Sequence, residues 1–254
     1  MVKQFEELTD FRWEVIEDLF PEQAICEHNL RDVLNAIFWI LRTGSQWRNL
    51  DSKYPPWSAV YHHFRKWSRD GRFEEMNQRL NEIARYSEDR EDHPSAVCID
   101  SQSVKIGGMI GEETGYDGGK NIKGRKRHII TDTLGLVLAV VVTAANAHDG
   151  TVGTVVFSKA QWLLYRMEKV FADGGYRGGF EDFIKGLLEA EVEIASRPPT
   201  AKGFVPVKIR WVVERTFGCF NFFRRLAKDY ERTVESSASW VLLANSQMIL
   251  FKMH

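Results

Sequence analysis

Ala96-Val97-Cys98-Ile99-Asp100 is a short apolar run ending in a carboxylate, and it marks where the chain changes from helical spacing to strands. Such a run reads as a buried strand, so the acid projects from a strand end. Downstream, Ile129-Ile130-Thr131 reads as a second strand, Asp132-Thr133-Leu134-Gly135 as a hairpin turn, and Leu136 to Thr143 as the Val-rich strand that returns from it. Asp132 is therefore a turn residue, not a ligand. Thr151 to Met167 has helical spacing, with Val155, Phe157, Leu163 and Leu164 available for burial. His148-Asp149 ahead of it reads as a helix cap, with a place at an active site as the alternative. Val170-Phe171-Ala172 is a further strand, again closed by an acid, Asp173, and by Gly174-Gly175. Phe180 to Ala190 then reads as a helix, Val192 to Ser196 as a strand broken by Pro198-Pro199, and a last helix starts at Arg210.

The order is strand, hairpin strand, strand, helix, strand, helix, strand, helix. This α/β succession predicts a ribonuclease H-like mixed sheet flanked by helices. Ahead of it the pattern is helical. Phe11 to Phe20 reads as a short helix capped by Asp10 and stopped by Pro21, and Leu30, Val33, Leu34, Ile37, Phe38 and Leu41 keep helical spacing up to Gly44. After Pro55-Pro56, Ser58 is expected to cap a helix that runs to Asp70 and closes at Gly71. Val60, Phe64 and Trp67 face its core side, while His62, Arg65, Lys66 and Arg69 line the other. Two readings fit: a helix-turn-helix-like DNA-binding unit, or a small bundle with an ordinary charged exterior. Glu88 to His93 is a polar, aperiodic cluster followed by Pro94, so the boundary is placed between a helical domain, residues 1–92, and the strand-bearing domain, residues 93–254.

With 254 residues, 44% of them hydrophobic, one substantial core and a second small one can form. A formal charge of −1 excludes a general nucleic-acid coat protein, so any polyanion site must come from local clustering. Lys120 to His128 supplies one: Lys120, Lys123, Arg125, Lys126 and Arg127 fall directly before a strand. They form either a phosphate contact strip or a solvated basic loop. Gly107 to Gly119 ahead of them is expected to be a mobile loop. Cys26, Cys98 and Cys219 lie far apart, which gives no support to a zinc ribbon or a disulfide scaffold and points to a reducing compartment. Met1 to Asp10 lacks the features of a signal peptide, and Leu136 to Ala145 is too short to span a bilayer, so a soluble, cytoplasmic protein without membrane contact is expected.

Arg210 to Glu231 placed on one helix gives a core stripe of Val212, Thr216, Cys219 and Phe223. Arg210, Glu214, Asn221, Arg225 and Lys228 gather opposite. Three acids thus stand at comparable places: Asp100 and Asp173 at strand ends, and Glu214 on the late helix. Singly, each reads as a turn, cap or ion-paired surface residue. Together with the basic strip they suit Mg²⁺ or Mn²⁺, two of which would serve an in-line phosphoryl transfer.

Four ordered segments carry a resemblance: Val97 to Lys105, Gly124 to Ile129, Phe171 to Tyr176 and Val213 to Gly218. They resemble those of bacterial insertion-sequence transposases of the insertion-sequence-five group, and Thr43 to Leu50 with Trp57 to Tyr61 is similar to the small helical domain of that group. The resemblance implies that Asp100, Asp173 and Glu214 are a DDE triad binding two Mg²⁺ or Mn²⁺ ions. It further implies cleavage at terminal inverted repeats and joining of 3′-hydroxyl ends to target DNA by a bacterial, nucleoid-associated protein, with a homo-oligomer assembled on double-stranded DNA. A non-catalytic DNA-binding regulator and a ribonuclease H-like nuclease without strand transfer are the alternatives. In the signature of related transposases (Tyr, two residues, Arg, three residues, Glu, six residues, Lys), Arg210 and Glu214 match, while Val207 stands at the Tyr position and Asn221 at the Lys position. Helix geometry offers Arg224, Arg225 and Lys228 as the replacing charge, and Asp173 and Glu214 are too close in sequence for a large inserted domain.

Overall fold

The structure, a computed structural model, describes residues 5–20, 28–108, 111–194 and 210–253. Pro21, Cys26, Pro198, Pro199, Val207 and the end of the expected Val192 to Ser196 strand lie outside them.

Four helices come first: α1 (Asp10–Glu14), α2 (Leu30–Thr43), α3 (Trp57–Arg69) and α4 (Arg72–Tyr86). Thr9, not Asp10, caps α1 by accepting from the Arg12 amide, and the helix stops after five residues. Asn29 caps α2, and Gly44 ends it with φ +71°, as its C′ position requires. Pro56, not Ser58, precedes α3. The helix α4 was not anticipated.

The sheet contains β1 (Ala96–Lys105), β2 (Gly115–Asp117), β3 (Ile122–Asp132), β4 (Val137–Ala144), β5 (Lys169–Ala172) and β6 (Glu191–Ile194). The chain passes through α5 (Asp149–Ala160) and α6 (Gly179–Leu188) between the later strands, then through α7 (Arg210–Phe220) and α8 (Val234–Leu250). β3 lies antiparallel between β1 and β4, while β1, β5 and β6 run parallel, and the short β2 extends the far end of β3. Three antiparallel strands followed by two parallel ones make the ribonuclease H-like sheet that the element order predicted.

Side chains alternate across β1. Val97 and Ile99 join Ile130, Val170 and Ala172 in a core under α5 and α6. Cys98 joins Ile129, Val140 and Phe171 in a second core shared with α2, α3, α4, α7 and α8. The C-terminal α8, also unanticipated, therefore completes the N-terminal helical layer. Three buried amides tie that layer to the sheet: Asn77 and Asn81 both donate to the Val137 carbonyl, at 2.7 and 2.8 Å, and Asn245 donates to both of their side-chain oxygens while accepting from the Val137 amide. The buried Arg85–Asp132 ion pair reinforces the joint. Asp132 also accepts from the Leu134 and Leu136 amides, which is the turn role read from the sequence.

Two expectations are overturned. β3 is far longer than Ile129 to Thr131 and takes in most of the basic strip, burying Arg125, Lys126 and Arg127. Arg125 is fully enclosed and saturated: it pairs with Asp229 at 3.1 Å and donates to the carbonyls of Glu112, Glu231, Arg232 and Thr233. Arg127 donates to the Leu226 carbonyl, and burial lowers its pKa to about 10 against the raising fields of Asp229 and Glu231. The helix from Arg210, α7, also stops at Phe220, and its buried face is Val212, Val213, Thr216, Phe217 and Phe220. Beyond it, Arg225 is buried in a pair with Glu231 at 2.6 Å, among the rings of Trp47, Tyr230 and Trp240. Arg125, Arg127 and Arg225 thus belong to an internal ion cluster that fastens the segment after α7 onto β3 and the helical layer. They are not phosphate contacts.

Candidate active site

Parallel pairing sets the geometry. Cys98 is level with Phe171, so the register brings Asp100 and Asp173, each two residues further on, level with one another on the face that packs against α7. Asp173 follows the end of β5, but Asp100 lies midway along β1 and not at the strand end that the sequence predicts. Asp100 accepts from the Ser101 amide at 2.7 Å. Asp173 accepts from the Gly175 amide at 2.8 Å and so caps the turn Gly174–Tyr176.

The hairpin turn, level with the start of β1, anchors α7 across the sheet. Thr216 donates its hydroxyl to the Gly135 carbonyl at 2.8 Å, and Arg215 donates to the Leu134 carbonyl at 2.7 Å. Gly135 has φ +88°, and a methyl group there would meet the Thr216 hydroxyl at 2.9 Å, so both the conformation and the close approach need glycine. With Val212, Val213, Thr216 and Phe217 turned inward, Glu214 stays on the open side of α7, one turn from Arg210.

One atom shows the convergence. Arg210 Nη2 lies 3.4 Å from Asp100 Oδ2, 3.9 Å from Asp173 Oδ2 and 3.6 Å from Glu214 Oε1. Burial raises the pKa of Asp100 to about 6, against the lowering effect of the Ser101 amide and of Arg210, with the Asp173 charge adding to the rise. The donors are all carboxylate oxygens, which fits Mg²⁺ or Mn²⁺ and not a soft metal. Among the described residues, however, no three His, Cys, Asp or Glu side chains stand ready to share one ion. The Arg210 guanidinium takes the space between the three acids, so ion binding here requires that side chain to move aside.

A fourth carboxylate, Asp149, stands near the two aspartates, reached through Ser101 and Gly175. It is the first residue of α5, and His148 before it makes no side-chain cap bond. Asp149 instead accepts from the Ser101 hydroxyl at 2.9 Å and the Lys126 ammonium at 3.1 Å. The sequence reading prefers a cap for His148-Asp149 and keeps an active-site place as the alternative; the contacts of Asp149 with Ser101 and Lys126 favour the alternative. His128 lies 3.7 Å from Asp149, but burial lowers its pKa to about 4, so it is neutral near pH 7.

The remaining expected phosphate contacts divide by exposure. His62, Arg69, Lys120, Lys123, Arg224 and Lys228 are exposed, and Arg65, Lys66 and Arg210 are half-buried. Asn221, also exposed, follows the end of α7. No helix among the described residues is long and apolar enough to cross a membrane.

Residues 8–77 match the family model for transposases of the IS4/5 family (DUF4096), and residues 91–249 match the transposase DDE domain model. A Burkholderia cepacia protein named as a transposase for insertion sequence element IS402 is 32% identical over 128 residues. That match takes in 47% of this chain and 60% of the relative, so the chain spans less than two thirds of that protein's length. Among solved structures, the Mos1 mariner paired end complex with Mn aligns over 96% of this chain and 84% of its own, at 10% identity and a TM-score of 0.31. At that score the alignment assigns nothing to this chain. The domain match covers most of the sequence and takes in all three converging acids: the chain belongs to the family of transposases with a DDE domain.

Proposed function

We propose that the chain is a DNA transposase that binds the terminal inverted repeats of its element, cleaves the ends and joins their 3′-hydroxyls to target DNA. The supporting observation is the approach of Asp100, Asp173 and Glu214 to a single guanidinium nitrogen, from two strands and a helix. When bound, two Mg²⁺ or Mn²⁺ ions would supply activation of the attacking oxygen and stabilisation of the leaving oxygen of the phosphodiester.

The three carboxylates are the residues that would hold those ions. Arg210, released from between them, remains at the site as a cation for a DNA phosphate. Its fork geometry suits that contact better than a lysine would. The basic face of α3 (His62, Arg65, Lys66, Arg69), together with Lys120, Lys123, Arg224 and Lys228, holds backbone phosphates. These contacts position DNA without reading its sequence. Two element ends must be brought together, so the working form is a homo-oligomer on double-stranded DNA, acting at the bacterial nucleoid. The helical layer, residues 1–92, serves as the DNA-binding domain, and residues 93–254 as the catalytic one.

The test is incubation of the protein with labelled DNA carrying the inverted repeats that flank its gene, with and without Mg²⁺. Metal-dependent nicks at the repeat ends and joined strands support strand transfer. Cut ends without joining would mean a nuclease, and binding without cutting would mean a regulator.

A further inference from the structure

We infer that the half-buried Asp149 and the buried Lys126 form a charge pair, with Asp149 as the positioning residue, that sets how tightly the neighbouring acidic centre holds divalent ions. The inference rests on the reading of Asp100, Asp173 and Glu214 as the ion-binding carboxylates.

Lys126 is buried on the central strand β3, and its ammonium finds two partners, the Ala147 carbonyl at 2.9 Å and Asp149 Oδ1 at 3.1 Å. The same Asp149 oxygen accepts from the Ser101 hydroxyl at 2.9 Å, which ties the pair to the residue next to Asp100. Its other oxygen comes close to the second aspartate. A methyl group placed on Gly175 would lie 3.0 Å from Asp173 Oδ1 and 3.3 Å from Asp149 Oδ2, so these two carboxylates flank one glycine with no side chain between them. The buried Tyr176 ring lies in the same neighbourhood, and its pKa is held well above the usual range by burial and then by the charges of Asp149, Asp100 and Asp173.

Asp149 thus stands on the far side of β1 from Arg210, joined to the centre through Ser101 and Gly175. Three of the four local acids meet Arg210, and the fourth meets Lys126. This separates two roles. An unpaired ammonium beside the centre would repel a divalent ion, whereas an unpaired Asp149 would add attraction; the pair as built is neutral and also fixes the Ser101 side chain.

The two charges consequently give opposite signs, which simple packing does not. With the full chain and Mn²⁺ alone in isothermal titration, Asp149→Asn should weaken ion binding roughly tenfold and Lys126→Met should tighten it by several-fold. The double variant, with neither charge left unpaired, should return near the wild-type affinity. Should Asp149→Asn fail to fold, Lys126→Met and the double variant still carry the test. Weaker binding in both single variants, or no change in either, would overturn the inference while leaving the ion-binding reading in place. A wild-type chain that takes up no Mn²⁺ would overturn both.

Discussion

Asp100, midway along β1, comes level with Asp173, just past the end of the parallel strand β5, and both turn a carboxylate oxygen toward Arg210 Nη2, at 3.4 and 3.9 Å. With Glu214 at 3.6 Å, one guanidinium offsets three negative charges in a partly enclosed space. Replacing Arg210 with Met should therefore act in two directions. In chelator the acids are left to repel one another, and stability should fall by on the order of 1–3 kcal/mol. Mn²⁺ should bind more tightly than in the wild type and restore the loss. Thermal melts with and without Mn²⁺ read both effects; a variant unchanged in either condition would remove Arg210 from this role.

Burial gives Asp100 a pH signature. Its folded pKa of about 6 lies above the ordinary aspartate value, so its contribution to stability is present at low pH and is lost as pH rises through 6. Asp100→Asn should then exceed the wild type in chelator at pH 8 by on the order of 2 kcal/mol, and the advantage should shrink toward pH 4. Denaturant titrations at the two pH values check this. An equal difference at both would mean that the carboxylate titrates in its ordinary range.

The basic residues before the hairpin divide into two classes. Arg125→Met strands Asp229 in the interior and should cost about 3–5 kcal/mol of stability. Lys120→Ala and Lys123→Ala, both at exposed positions, should leave stability within about 0.5 kcal/mol and weaken DNA binding, each lowering the salt slope of the binding constant by about 1. Melting curves together with DNA binding at several salt concentrations separate the classes.

The sheet was legible because strands and turns carry local signals: Ala96 to Ile99, the Asp132 turn and Val170 to Ala172 are short apolar runs with clear ends. The position of Asp173 just past a strand end followed from the same signals, whereas Asp100 lies midway along β1, because Ser101 to Lys105 continue the strand with polar residues that carry no apolar signal. The fate of the basic strip did not. Arg125 and Arg127 are balanced by Asp229 and Glu231, acids distant in sequence, and a run of cations read without its partners looks solvated. α8 escaped because it is buried nearly all round, Ser236, Ser237, Ser239, Asn245, Ser246 and Gln247 included, which erases the apolar stripe that marks a surface helix. The helix from Arg210 was drawn too long for a related reason: Phe223 and Arg225 are both buried, but in the segment after Phe220, where the chain leaves helical spacing.

Strand cleavage by the wild type and by Asp100→Asn, Asp173→Asn and Glu214→Gln, measured side by side in Mg²⁺ on labelled inverted-repeat DNA, tests the shared role of the three acids most directly. Each substitution should abolish cutting and joining while end binding in a gel-shift assay stays close to wild type. Full strand transfer by any one of the three variants would contradict the shared site.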